Sequence, residues 1–280
     1  MQLRAPAKIN LSFRIQGRRD DGYHEIETLM SPVSLYDELT FTRADAGSAI
    51  EFTCDDVSLP TGEDNLVLKA ARLFLATAGL QAGLKIELRK RIPHGAGLGG
   101  GSSDAATALL GLNELFGTGF DLTTMSQLGA QLGSDVPFFI FRSAAFCRGR
   151  GELVEPTTLP ERLHLLLLKP AFGVSTPWAY ARWKDSCELR NVDYGAQRFG
   201  NTTFVNDLER PVFEKHLFLA RAKTWLRAQP EVGAAMLSGS GSTLFAVLRG
   251  PEGAGPVAAR AKSELDEGLW TCACETVGPP

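Results

Sequence analysis

Residues 93–104 read Pro93-His94-Gly95-Ala96-Gly97-Leu98-Gly99-Gly100-Gly101-Ser102-Ser103-Asp104. Before them, Leu84, Ile86 and Leu88 alternate with polar residues as on a half-buried strand. After them, Ala105, Ala108, Leu109, Leu112 and Phe116 recur at helical spacing. The glycines therefore lie between a strand and a helix N-terminus, where unpaired backbone N–H groups converge on an anion. Glycine admits positive φ and removes the Cβ that would hold a ligand away. Ser102 and Ser103 bring hydroxyls to the helix start, where they cap it or reach a phosphate or a metal. The loop predicts a polyphosphate, and the expected one is ATP. A glycine hinge with no ligand is the alternative, and the strand–loop–helix setting argues against it.

Two familiar phosphate fingerprints do not account for the loop. A Walker A loop carries a lysine after its last glycine, whereas Ser102 and Ser103 follow Gly101. Gly95 to Gly100 fits Gly-x-Gly-x-x-Gly formally, but the dinucleotide pattern needs an acid ending a second strand about 20 residues on. Asp121 instead opens a helical pattern of Leu122, Met125, Leu128 and Leu132.

The chain has 280 residues, with 29 basic and 32 acidic side chains and a net charge of −3. That length suits a large core and two domains. The only basic run is Arg89-Lys90-Arg91, which excludes a nucleic-acid backbone as partner. The longest apolar stretch, Leu163 to Leu168, is too short for a bilayer and suits a buried strand. No apolar segment of an export signal precedes Lys8, so a cytoplasmic protein is expected. Five scattered cysteines form no Cys-x-x-Cys pair and read as reduced thiols. A monomer or weak homodimer is expected.

Strand patterns are predicted over Ala5–Ile15, Leu39–Thr42, Ile50–Thr53, Phe138–Phe141, Leu163–Leu168, Leu244–Leu248 and Leu269–Thr276. Helices are predicted after Asp64 as cap, after the glycine loop, after Asp121, after Thr176, over Glu209–Ala228 as one element, and over Val257–Asp266. Arg148-Gly149-Arg150-Gly151 reads as a hairpin turn. Pro156 and Pro160 flank the predicted boundary between domains at 1–155 and 156–280. The intermixed elements indicate an α/β or α+β class.

Three further signals bear on chemistry. Lys8 stands between Ala7 and Ile9 on the first strand, beside Asn10. It either points to solvent at a strand edge or pairs with an acid, since an unpaired buried charge is expensive. Asp135, in Gly133-Ser134-Asp135-Val136-Pro137, is either a turn or capping residue or a base for a substrate hydroxyl. Leu237-Ser238-Gly239-Ser240-Gly241-Ser242-Thr243 is a small-residue loop leading into an apolar strand, able to offer amide and hydroxyl donors to a phosphate.

Taken together and in this order, Pro6-Ala7-Lys8-Ile9-Asn10-Leu11, the Pro93–Asp104 loop and Leu237–Ser242 resemble the three motifs of the galactokinase, homoserine kinase, mevalonate kinase and phosphomevalonate kinase (GHMP) superfamily. Asp20-Asp21-Gly22-Tyr23-His24-Glu25, Gly133 to Phe139, and Asn206-Asp207-Leu208-Glu209 resemble one branch of it. That branch phosphorylates 4-diphosphocytidyl-2-C-methyl-D-erythritol in non-mevalonate isoprenoid synthesis. The resemblance spans about Ala5 to Val247.

It implies a two-domain α+β kinase, with a left-handed βαβ crossover in the N-terminal domain and a ferredoxin-like C-terminal domain. Asp135 would be the base for the acceptor hydroxyl; Lys8 would balance its charge and orient that hydroxyl, with Asn10 beside them. Pro93, Gly95, Ala96, Gly97, Leu98, Gly99, Gly100, Gly101, Ser102 and Ser103 would wrap the ATP phosphates, and Asn65 would approach the adenosine. Tyr23 and His24 would meet the cytosine end of the acceptor. Thr176, Gly239 and Ser240 would lie on the acceptor side, and Tyr180 would close the cytosine slot opposite Tyr23. The alternative for Trp178, Tyr180 and Trp183 is a helix face packed in the core. Mg²⁺ would accompany ATP, touching Ser103 or Asp104 or held by nucleotide and water. A kinase of mevalonate or homoserine type is the nearest alternative, but its substrate has no base to stack on Tyr23 and Tyr180. A catalytically silent nucleotide sensor would not need Lys8 and Asp135.

Overall fold

The computed structural model describes residues 1–45 and 48–278. Strand β1 (Gln2–Arg18) runs antiparallel to β2 (His24–Ala44), from Gln2 opposite Thr40 to Arg18 opposite His24. Gly22, at φ +87°, turns the chain between them, and Asp21 Oδ1 accepts the Tyr23 N–H at 3.1 Å. Three register shifts bend this long ribbon. As a result one half of β2 pairs with β4 (Gly83–Arg89) and the other with β5 (Ala144–Gly149). Strand β3 (Ile50–Cys54) lies parallel to β4, and α1 (Leu66–Ala78) connects them as a βαβ unit.

Helix α1 turns Val67, Ala70, Ala71, Phe74 and Leu75 inward, the spacing of one helical face. Its cap is Asn65 rather than the expected Asp64: Asn65 Oδ1 accepts the Val67 N–H at 2.9 Å, while Asp64 faces solvent. Helix α2 (Gly100–Phe116) buries Ala105, Ala108, Leu109 and Leu112. A Cβ on its Gly111 would lie 2.9 Å from the Phe41 ring, so glycine lets helix and sheet approach. Asp121 Oδ1 caps α3 (Leu122–Leu132) through the Thr124 N–H at 2.8 Å.

The strand predicted over Phe138–Phe141 is instead helix α4 (Val136–Phe141). A short, fully buried apolar run does not distinguish strand from helix, and here the segment packs among α2 and α3 rather than joining a ladder. Strands β5 and β6 (Leu153–Thr157) form the expected hairpin, closed by the Gly151 N–H to the Arg148 carbonyl at 3.0 Å.

The second sheet has the order β10-β11-β7-β12, all antiparallel: β7 (His164–Lys169), β10 (Val232–Leu237), β11 (Leu244–Leu248) and β12 (Trp270–Glu275). Helices α5 (Thr176–Arg182), α6 (Glu209–Lys215) and α7 (Leu217–Arg227) lie between β7 and β10, and α8 (Ala254–Glu264) lies between β11 and β12. This is the split βαβ arrangement of a ferredoxin-like domain. The single helix expected over 209–228 breaks at His216 (φ −113°, ψ 73°), whose ring stacks on Phe172 at 5.0 Å. Strands β8 (Gln197–Phe199) and β9 (Thr202–Asn206) leave this half and extend the first sheet, β9 lying parallel to β1 at Ser12 and Phe13.

The two sheets share an apolar layer: Ala7, Ile9 and Leu11 of β1 meet Leu165, Leu167, Met236 and Phe245. Helices α1 to α4 cover the outer face of the first sheet and α5 to α8 that of the second. Because side chains alternate along a strand, burying Ala7, Ile9 and Leu11 against the second sheet turns Lys8 and Asn10 to the opposite side.

One buried ion pair ties α6, α7 and β10 together. Lys223 Nζ lies 2.6 Å from Glu209 Oε2 and from the Asp193 carbonyl, and Glu209 Oε1 accepts the Leu237 N–H at 3.0 Å. Both side chains are 2% exposed, and burial pushes the Glu209 carboxyl up from its usual range. Lys223→Met would strand that carboxylate, so a loss of about 3–5 kcal/mol is expected. Urea unfolding measures it, and an unchanged midpoint refutes it.

Candidate active site

The glycine loop is pinned by its own backbone. Lys8 of β1 donates its N–H to the Leu98 carbonyl at 2.9 Å, filling a place where β1 has no neighbouring strand. Thr243 donates its N–H to the Ala96 carbonyl at 3.2 Å, and Ser238 Oγ donates to the Gly97 carbonyl at 3.0 Å. Gly97 has φ +75°, and a Cβ there would collide with the Ser238 carbonyl oxygen. Gly99 has φ +71°; its Cβ would lie 2.9 Å from the Phe139 ring and 3.0 Å from Lys8 Cγ. Both positions thus require glycine for conformation and for space. The Ser103 N–H to the Gly99 carbonyl, at 2.9 Å, begins the α2 ladder, and no side chain caps the helix. The amides of Gly100, Gly101 and Ser102 are therefore free of helical partners and open to an anion.

Lys8 is 4% exposed and donates to Asn10 Oδ1 at 2.7 Å. Asn10 Nδ2 donates in turn to Thr28 Oγ1 at 2.9 Å, and Thr28 donates to the Ser12 carbonyl at 2.6 Å. This chain fixes the ammonium so that it lies 3.6 Å from Asp135 Oδ2. Of the two readings of Lys8, the paired one holds. Asp135 precedes α4 without capping it through its side chain, which stays more than a third exposed. A Cβ on Gly239 would lie 3.1 Å from Asn10 Oδ1, so the serine–glycine loop brings bare backbone against the pair. Asn206 holds that loop by donating to the carbonyls of Leu237 and Gly239, both at 2.8 Å.

Two cavities meet here. The first, about 430 Å³, is lined by Lys8, Asn10, Asn65, Lys90, residues 92–102, Asp104, Gly239 and Ser240. The second, about 920 Å³, is lined by Arg18, Tyr23, His24, Pro177, Trp183 and Lys184. Ser102, Asp135, Arg150, Thr176 and Tyr180 line both, so Asp135 stands where they join. Thr176 and Ser240 hydroxyls are 2.7 Å apart at this junction. Tyr180 packs against His24 with ring centroids 5.1 Å apart, and its hydroxyl is pushed well up by burial and by the Asp135 charge. Burial and the Arg18 charge hold the His24 imidazolium below its usual range, leaving the ring neutral at pH 7. Tyr23 is exposed and lies under the Arg150 guanidinium at 4.8 Å.

Two of the expected residues are tied into the local structure. The Asn65 side chain caps α1 through Oδ1 and donates through Nδ2 to the Pro60 carbonyl at 2.8 Å, which fixes the amide where it lines the cavity. Ser103 is fully enclosed and does not line the cavity, whereas Ser102 and Asp104 do.

Sequence reasoning missed a buried charge cluster beneath the loop. Lys90 Nζ pairs with Asp37 Oδ2 and, at 2.8 Å, with Asp104 Oδ2. Asp37 Oδ1 accepts the N–H groups of Arg91 at 2.5 Å and Ile92 at 2.8 Å. The available signal was Asp37 occupying an inward position among Val33, Leu35, Leu39 and Phe41. Burial, opposed by Lys90, pushes the Asp104 carboxyl up to about 7. A carboxyl raised on folding binds its proton more tightly in the folded chain, so its contribution is full below about pH 4 and fades as pH rises through 7. Asp104→Asn is therefore expected to flatten the pH dependence of stability between about pH 4 and 7; equal slopes in thermal unfolding would contradict this.

A strand-pinned glycine loop, a buried lysine–aspartate pair and two joined cavities define a phosphotransferase of the GHMP kinase class. Residues 65–143 match the model of the GHMP kinases N terminal domain. The chain is 44% identical to the 4-diphosphocytidyl-2-C-methyl-D-erythritol kinase of Methylacidiphilum infernorum over 269 residues, covering 95% of this chain and 93% of that one. It is 41% identical to the kinase of the same name from Pelotomaculum thermopropionicum, over 95% and 96% of the two chains. A crystal structure of 4-(cytidine 5'-diphospho)-2C-methyl-D-erythritol kinase superposes with a TM-score of 0.80 at 36% identity, covering 99% of this chain and 100% of that one. Mevalonate kinase from L. major shares the fold, with a TM-score of 0.68 at 15% identity. The chain belongs to the 4-diphosphocytidyl-2-C-methyl-D-erythritol kinase family.

Proposed function

We propose that this chain transfers the γ-phosphoryl group of ATP to the 2-hydroxyl of 4-diphosphocytidyl-2-C-methyl-D-erythritol, supplying isoprenoid precursor synthesis. The observation that carries this reading is the Lys8–Asp135 pair, 3.6 Å apart, at the junction of a glycine-loop cavity and an aromatic-walled one. ATP occupies the first cavity, its phosphates against the free amides of Gly100, Gly101 and Ser102, mostly within the portion 1–155. The acceptor occupies the second, between that portion and 156–280. Cytosine stacks between Tyr23 and Tyr180, with His24 at its edge, and Thr176, Gly239 and Ser240 line the passage to the reacting hydroxyl. Tyr180 gains about 1–3 kcal/mol from such stacking.

Asp135 accepts the hydroxyl proton as the oxygen attacks the γ-phosphorus and ADP leaves, while Lys8 orients the hydroxyl and balances charge. Among the described residues no group of three His, Cys, Asp or Glu side chains is placed to hold a metal. A Mg²⁺ accompanying the nucleotide would be held on the protein side by the Ser102 hydroxyl or the Asp104 carboxylate, which line the cavity. Its chemistry there is neutralisation of phosphate charge. Among the described residues no helix is long and apolar enough to cross a membrane, in keeping with a cytoplasmic enzyme acting on small molecules, as a monomer or weak dimer.

Asp135→Asn is expected to lower turnover roughly 10²–10⁴-fold while leaving ATP affinity near wild type; near-normal ADP release in a coupled assay overturns the base assignment. Tyr23→Ala is expected to raise KM for the acceptor well above any change in KM for ATP, and equal changes in both count against the stacking model.

A further inference from the structure

The acceptor carries a diphosphate between its base and its reacting end, and the transferred phosphoryl group adds more negative charge beside it. A cation at the junction of the two cavities would face both the diphosphate and the transferred group. Lys8 is committed to Asn10 and Asp135, and Lys90 to Asp37 and Asp104. Arg18 and Lys184 line only the acceptor cavity. Arg150 is the one cation, among the described residues, that lines both.

Its setting suits an anion. Arg150 sits on the turn between β5 and β6, flanked by Gly149 at φ +73° and Gly151 at φ +114°. A Cβ on Gly151 would lie 3.7 Å from Asp135 Oδ1, so this turn abuts the reacting centre. The guanidinium rests on the Tyr23 ring at 4.8 Å, which holds the group flat without using its N–H donors. Its Nε is ion-paired with Glu152 Oε1 at 3.6 Å, while among the described residues its terminal nitrogens, on the outer edge of the guanidinium, make no hydrogen bond. A planar cation with an unspent pair of donors matches phosphate oxygens two at a time.

We infer that Arg150 is the anion subsite for the acceptor's diphosphate, binding it from the Tyr23 face at the junction of the two cavities. This rests on the acceptor reading above and adds a specificity residue to it. Arg150 reads the phosphates while Tyr23 and Tyr180 read the base, so a cytidine without phosphate loses the contact.

The test compares binding of CDP and of cytidine to the full chain by calorimetry, together with acceptor and ATP kinetics, for wild type, Arg150→Met and Arg150→Lys. The expected result is that wild type prefers CDP and that Arg150→Met loses roughly 10- to 100-fold of that preference. Acceptor KM rises by a similar factor, KM for ATP changes less than about twofold, and Arg150→Lys recovers part of the loss. A merely structural role would weaken cytidine and CDP alike. An unchanged ratio of CDP to cytidine affinity in Arg150→Met, with cytidine still bound, overturns the subsite alone. Failure of wild type to bind cytidine or CDP overturns the acceptor reading and the subsite with it.

Discussion

Backbone contact between the glycine loop and its two supports is the constraint on which the site depends. The Leu98 carbonyl is fixed by β1, the Ala96 and Gly97 carbonyls by the serine–glycine loop, and Phe139 closes over Gly99. At Gly97 and Gly99 this approach is possible only because no side chain is present. Their consequence is mechanical: three segments far apart in sequence are held at backbone distance, so the α2 amides face a cavity of settled shape. Preorganised donors of this kind need no rearrangement when charge arrives.

Beneath this backbone frame lie buried charges arranged in pairs. Lys8 is oriented by Asn10 and Thr28 and answers Asp135. Lys90 anchors Asp37 and Asp104 under the first turn of α2. Lys223 answers Glu209 at the root of the serine–glycine loop. Each buried ammonium has at least one acid and a second acceptor, which is the condition for tolerating such groups away from water. Lys8 lies within the first motif, and Lys90 and Lys223 lie behind the glycine and serine–glycine loops, so the polar interior is concentrated where the ligand-facing backbone must be held still.

Hydrophobic periodicity and turn residues agreed along β1, α1 and α2, and reading a short apolar run as a buried strand succeeded for β7 and β11. It failed at Phe138–Phe141, where four apolar residues carry no period, and at His216, where an aromatic contact with Phe172 overrides helical continuity. In the candidate site, Lys8, Asp135 and the glycine loop were legible through motif order. Arg150 was not, because a residue in a turn has no periodicity and its importance comes from which cavities it borders. Lys90 was hidden in a short basic run and Asp37 inside a strand; only the tertiary pairing reveals them. Asn65, and not Asp64, caps α1 while lining the cavity, a local choice that motif order does not carry.

The parallel pairing of β9 with β1 joins Ser12 to Val205 and Phe13 to Asn206. Asp207 adds to the seam, accepting from the Ile15 N–H and the Arg14 guanidinium at 2.9 Å each. The first sheet therefore cannot be completed until the chain beyond residue 206 has left the ribosome. Until then β1 exposes an open edge to its surroundings. Such long-range closure makes folding slow and places the nascent chain at risk of aggregation during synthesis. It also means that a fragment ending near residue 155 lacks part of its own sheet, so the seam that joins the halves makes them one folding unit.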